Sequence, residues 1–268
     1  RGMSSAASDV YKRQSMYSLK SSYPMVKYDK EYYNYITPKI SFKFNPHDMK
    51  NYSNSKKNIN TKNIFSNNRL GLSDSFEAGR SLTLGFDFKK ESINDFNTYT
   101  EVSLATVLRD REEKFIPKNT SLDKKNSNIF GHIKTSFSEL VDFEYNFAID
   151  NNYEKLVYND ISTKLSFDKL SSEFTFIKER DDMGRVNIFE NSTQFKFNDE
   201  NSLFFQTRRN REINLTEYYN LVYEYENDCL TAGIKYKKTY YEDKDLKPSE
   251  NLFFSVTLVP IGTYEQKI

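Results

Sequence analysis

Hydrophobic and polar positions alternate along most of this chain with a period of two. Val141, Phe143, Tyr145, Phe147 and Ile149 are apolar or aromatic, and Asp142, Glu144 and Asn146 between them are polar. On a strand this puts every large side chain on one face; on a helix the same set would scatter around the cylinder. Leu82, Leu84, Phe86 and Phe88 repeat the pattern, as do Ile161, Thr163, Leu165 and Phe167. So do Leu230, Ala232, Ile234, Tyr236 and Tyr240, and again Leu252, Phe254, Val256 and Leu258. The pattern predicts about twelve strands, with boundaries good to a few residues. They lie near 36–45, 80–90, 97–109, 128–137, 141–150 and 155–167, then 171–179, 186–197, 201–211, 217–226, 229–240 and 251–260. Most have the length of roughly ten residues that a tilted membrane strand needs.

The connections between these strands alternate between long and short. They are 46–79, 93–97, 110–126, 138–139, 151–154 and 168–170, followed by 180–185, 198–200, 212–217, 227–228 and 242–250. An up-and-down barrel in an asymmetric membrane has short periplasmic turns and longer outer loops. The expected fold is therefore all-β, an antiparallel up-and-down transmembrane barrel of which this chain supplies a part. A soluble β-sandwich or large soluble barrel is the alternative. In the barrel reading the last predicted strand descends to the periplasmic side, and the turn before Cys229 faces the periplasm.

Composition supports a folded β protein over a disordered one. The 268 residues are 37% hydrophobic with a mean hydropathy of −0.78, yet 16% are aromatic and only 8 are Gly and 6 Pro. A barrel strand shows lipid only one face, so low mean hydropathy is compatible with a membrane wall. No run approaches the ~18 apolar residues of a membrane helix. A net charge of +1 offers no excess of cations for nucleic acid. Residues 1–14, RGMSSAASDVYKRQ, break sharply from the Asn/Lys/Phe/Tyr-rich remainder. They resemble translated sequencing-adapter read-through and are set apart from residues 15–268, the alternative being an ordinary N-terminus. No signal peptide is present, so the membrane reading expects an N-terminal part outside this sequence.

No chemistry-bearing constellation emerges. The clusters Asp110, Arg111, Glu112, Glu113 and Lys178, Glu179, Arg180, Asp181, Asp182 fall in or beside predicted loops. Solvated carboxylates lack the split environments that acid–base catalysis needs, although the Arg and Lys of such clusters could contact phosphate groups or the divalent cations that bridge them. Arg208, Arg209 and Arg211 end a strand at the outer side. The two histidines, His47 and His132, have no ligand at metal-site spacing. No catalytic, cofactor or metal residues are expected. Cys229 is the only cysteine and cannot form a disulfide within this chain.

One stretch is more specific. Residues 63–88 read NIFSNNRLGLSDSFEAGRSLTLGFDF. Ile64-Phe65, Asn68-Arg69, Gly71-Leu72, Asp74, Leu82, Leu84 and Gly85 resemble the signature of the LPS-assembly outer-membrane protein (LptD, organic solvent tolerance) family. There an L-F-x-x-N-R segment enters a G-L-D-R-like loop and then an L-x-L-G strand. Asp74 stands one residue late. Residues 102–115 look like that family's next strand and charged exit, and 218–260 are similar to its final strands.

The resemblance implies a non-enzymatic barrel in the outer membrane of a Gram-negative bacterium. With an LptE-like lipoprotein plug it would insert lipopolysaccharide into the outer leaflet. A periplasmic jellyroll, expected outside this chain together with the first half of the barrel, would receive cargo from the LPS-transport bridge. Cys229 would be half of a disulfide to that jellyroll. Leu252, Phe254, Val256 and Leu258 would lie on one lip of a lateral gate. The alternatives are a porin or TonB-dependent receptor, or a soluble β module for lipid or carbohydrate.

Overall fold

A computed structural model describes residues 15–240, 248–258 and 262–267. The set-apart segment 1–14, most of the connection 242–250 and the end of the strand expected at 251–260 lie outside the described residues. The strands are β1 (Tyr17–Ser22), β2 (Met25–Tyr28), β3 (Tyr32–Asn45), β4 (Gly79–Ser92) and β5 (Tyr99–Arg109). Next come β6 (Ile129–Ser138), β7 (Val141–Ile149), β8 (Leu156–Ser166), β9 (Leu170–Glu179) and β10 (Val186–Lys196). The last are β11 (Asn201–Asn210), β12 (Leu215–Glu226), β13 (Leu230–Thr239), β14 (Ser249–Leu258) and β15 (Gly262–Lys267). They form one sheet in which sequential strands pair, all antiparallel, the up-and-down order that the alternation predicts. Among the described residues no pairing joins β1 to β15.

All twelve expected strands are present as β3–β14, and two additions flank them. β1 and β2 lie along the same edge of β3 in one continuous register, with Ser22 opposite Lys39 and Met25 opposite Ile36. They are one edge strand interrupted at Pro24, which has no N–H to give to a ladder; proline is tolerated at such an edge. Tyr23 still donates its N–H to the Pro38 carbonyl at 3.1 Å. At the other end β15 pairs with Phe253–Leu258 of β14. The strand carrying Leu252, Phe254, Val256 and Leu258 is therefore flanked on both sides, which corrects the expectation that it is the last.

Register fixes two unlike faces. Leu84 lies between Ile40 and Thr106, Phe86 between Pro38 and Leu104, and Phe88 between Ile36 and Val102. The same face continues with Tyr145 between Ile133 and Ile161, and Leu221 between Phe205 and Tyr236. Its side chains are open to the surroundings; Ile40, Phe42, Ile234 and Phe254 are 41–48% exposed. The opposite face carries Ser41, Lys43, Thr83, Asp142, Glu144 and Asp160, and the long connections fold over it.

The rims follow from the topology. One holds 29–31, 93–98, 139–140, 167–169, 197–200 and 227–229. The other holds 46–78, 110–128, 150–155, 180–185 and 211–214. The contrast is large at 46–78 and 110–128, but it vanishes at 211–214, because β12 starts earlier than expected.

Candidate functional site

The connections 46–78 and 110–128 supply most of the hydrophobic core. Ile64, Ile116 and Leu122 are fully buried, and Met49, Ile59, Leu70 and Leu72 nearly so. They pack on Ala105 and Val107 of β5, Phe130 of β6, Ala148 of β7 and Val157 of β8. Each such aliphatic side chain contributes about 1.5–3 kcal/mol. The connections also bind each other. Tyr52 donates its N–H to the Phe115 carbonyl at 2.9 Å. Lys57 N–H bonds Asn119 Oδ1 at 3.3 Å, and Asn119 Nδ2 returns to the Lys57 carbonyl at 2.7 Å. The two loops form one plug on the polar face of the sheet.

The segment 63–88 builds the centre of this plug. Asn68 clamps a turn, since its Nδ2 donates to the Leu72 carbonyl at 2.7 Å and its Oδ1 accepts the Leu72 N–H at 2.9 Å. Gly71 inside that turn has φ +60°, a left-handed conformation that favours glycine. Leu72 is thereby turned into the core. Gly85 faces the plug, where a Cβ would stand 3.0 Å from Phe65 Cζ and 2.5 Å from the Leu104 carbonyl oxygen. Only glycine lets the Phe65 ring lie on β4.

Arg69 is buried and directed at Glu77. Its Nε donates to Glu77 Oε2 at 2.7 Å and its Nη2 to Oε1 at 2.5 Å. The same guanidinium reaches Thr83 Oγ1 at 2.9 Å and Ser81 Oγ at 3.0 Å, tying the plug to β4. Arg109 at the end of β5 grips Glu77 Oε1 and the Ala78 carbonyl. Lys43 of β3 donates to the Ser66 carbonyl. Burial pushes the Glu77 carboxyl up, but Arg69, then Arg109 and Lys43, overcome it and hold the group down to about 2. Glu77 is the anionic hub of two buried guanidiniums, Arg69 and Arg109.

The other expected residues are dispersed. Asp74 is exposed and meets Lys50 and Tyr52; the Lys50 ammonium and Tyr52 hydroxyl lower its pKa. Leu84 is on the open apolar face, as Leu252, Phe254, Val256 and Leu258 are by register on β14. Cys229 is exposed in the short-rim turn 227–229, its N–H on Asn227 Oδ1 at 3.0 Å. Arg208 faces the polar side and pairs with Glu217 at 2.9 Å, while Arg209 bonds Asn214 at the rim at 2.7 Å. His132 bonds Asn146 at 2.8 Å and His47 bonds Ser15 at 3.2 Å, and among the described residues no metal-binding group forms.

The plug stops at β8–β9. Its edge and the wall enclose a cleft of about 290 Å³ lined by Lys56, Lys57 and Asn119 on the plug side and by Tyr158, Glu179 and Met183 on the wall side. Beyond Ser172 the only buried residue among those described is Gly233. The sequence reading missed the plug: Met49, Ile59, Ile64, Leu70 and Leu72 follow no period and are diluted among Asn, Lys and Ser. The motif at 63–88 was the one signal that could have located it.

No family model matches the chain, and no curated protein does. Among solved structures, a triple mutant of Rhodopseudomonas blastica porin is similar at 9% identity over 93% of each chain, with a TM-score of 0.38. A double mutant of the same porin gives 10% identity over 90% of each chain at a TM-score of 0.38. A further triple mutant gives 10% over 71% of this chain and 83% of its own at 0.37. At these values the likeness carries nothing about activity.

Proposed function

We propose that the chain forms wall and plug of an outer-membrane β-barrel of a Gram-negative bacterium, a non-enzymatic conduit whose polar face lines an aqueous lumen. The observation that carries this reading is the pair of unlike faces. The apolar face runs in register across the sheet from Ile40 to Phe254 with its large side chains exposed, a contiguous surface of the kind that soluble monomers rarely leave open, whereas lipid on that face and water on the other suit both. Refolding into detergent micelles should give heat-modifiable gel mobility. A monodisperse protein that needs no detergent would overturn the reading.

The finer reading is insertion of lipopolysaccharide with an LptE-like lipoprotein plug and a periplasmic bridge. It is supported by the resemblance at 63–88, whose residues Asn68, Arg69, Gly71, Leu72 and Gly85 build one structural unit. In this reading Cys229 pairs with a cysteine outside this chain, and the segment around Leu252, Phe254, Val256 and Leu258 borders a lateral opening. Non-reducing electrophoresis of the full-length protein with and without Cys229→Ser tests the pairing; unchanged mobility would remove it.

A further inference from the structure

Resting on the reading of the chain as a conduit, we infer that the water path runs to one side of the lumen, between the plug edge and the wall from β8 onward, and that Lys56 and Lys57 make it favour anionic solutes. The plug closes the first part of the polar face. Its core residues all lie between Met49 and Val157, and Arg69, Glu77 and Arg109 bolt it to β4 and β5. A path through that part would have to break a dry core and a buried ion network together. Among the described residues the wall from β9 onward has no such cover, and its inward positions include Thr175, Glu190, Ser192 and Gln206.

The cleft of about 290 Å³ is where the two regimes meet. Its lining includes two lysines, Lys56 and Lys57, and one acidic residue, Glu179. The reciprocal Lys57–Asn119 hydrogen bonds hold the backbone that carries the lysines, and the Lys57 ammonium donates to the Gly71 carbonyl at 3.3 Å. Further along the wall Arg208 pairs with Glu217 at 2.9 Å, while the inward carboxylates Asp160 and Glu190 have the neutral partners Asn146, Tyr158 and Tyr218. Among the residues that line the cleft itself, lysine outnumbers carboxylate two to one. Charge lining a low-dielectric passage concentrates ions of the opposite sign.

The test is the chloride-to-potassium permeability ratio of the refolded full chain in planar bilayers under a KCl gradient. Lys56→Glu/Lys57→Glu should lower the ratio by at least about threefold, and Glu179→Gln should raise it. The shift should fade near 1 M salt, where screening acts within ~3 Å. Lys27→Glu/Lys30→Glu, with the same change in net charge on the outer face and short rim, should leave the ratio alone. A ratio unmoved by the plug-edge pair, or moved equally by the control pair, would overturn the inference and leave the conduit standing. A wild-type protein that is heat-modifiable yet never conducts would remove the conduit reading and the inference with it.

Discussion

The two parts of the sheet solve the same problem in opposite ways. From β3 to β8 the polar face is covered by 46–78 and 110–128, and among the described residues every buried hydrophobic one lies between Met49 and Val157. From β9 to β14 no described residue covers the polar face, and side chains there satisfy one another locally, as Glu190, Gln206 and Tyr218 do. Both parts keep the same apolar outer face. The difference shows that the ladder and its outer surroundings hold the wall, whereas the plug adds a water-soluble kind of core to one part only.

Breaking the Glu77 hub should separate the two parts most strongly. Glu77→Gln leaves Arg69 and Arg109 buried without their counter-charge, a loss of about 3–5 kcal/mol. Urea unfolding in micelles, read from hydrogen exchange of β4 and β5 against β11 and β12, should show the loss in the first pair alone. Acid should act in the same place. The folded Glu77 carboxyl sits at about 2 against an ordinary 4.5, so its stabilisation is complete above 4.5 and is lost as pH falls towards 2. That loss amounts to about 3 kcal/mol.

Cavities sharpen the contrast at the next level. Ile64→Ala, at a fully buried site, should cost about 2–5 kcal/mol. Val222→Ala, half-buried on the bare inner face of β12, should cost under about 1 kcal/mol by the same denaturation. Gly85→Ala should cost about 1–3 kcal/mol by driving a methyl into the Leu104 carbonyl and crowding the Phe65 ring. Asp74→Asn, which breaks only exposed contacts with Lys50 and Tyr52, should leave the unfolding midpoint unchanged.

The wall was legible in the sequence because a strand with one apolar face writes its period directly into the residues. Leu82 to Phe88 and Val141 to Ile149 needed nothing else. The edge strand was hidden by Pro24 and by a partner on one side only, which relaxes the demand for alternation. The plug was illegible for a different reason. Its core positions are set by three-dimensional contact with β5–β8, and no local period records that. Asn68, Gly71 and Gly85 were visible through the resemblance, but their roles as a turn clamp, a left-handed turn residue and a ring seat needed the structure. Arg69 was flagged without its partner; Glu77 and Arg109 were missed because their charges looked like ordinary loop and rim residues.

The central claim is that one face of the sheet meets lipid and the other water, in both parts alike. Spin labels at single cysteines in a Cys229→Ser background test it directly, using the neighbours Phe204 and Phe205, which share a residue type and differ only in face. In liposomes a label at 205 should collide with oxygen and one at 204 with a water-soluble nickel chelate, and 203 and 206 should continue the alternation. Equal access at 204 and 205, or water access at 205, would contradict the account.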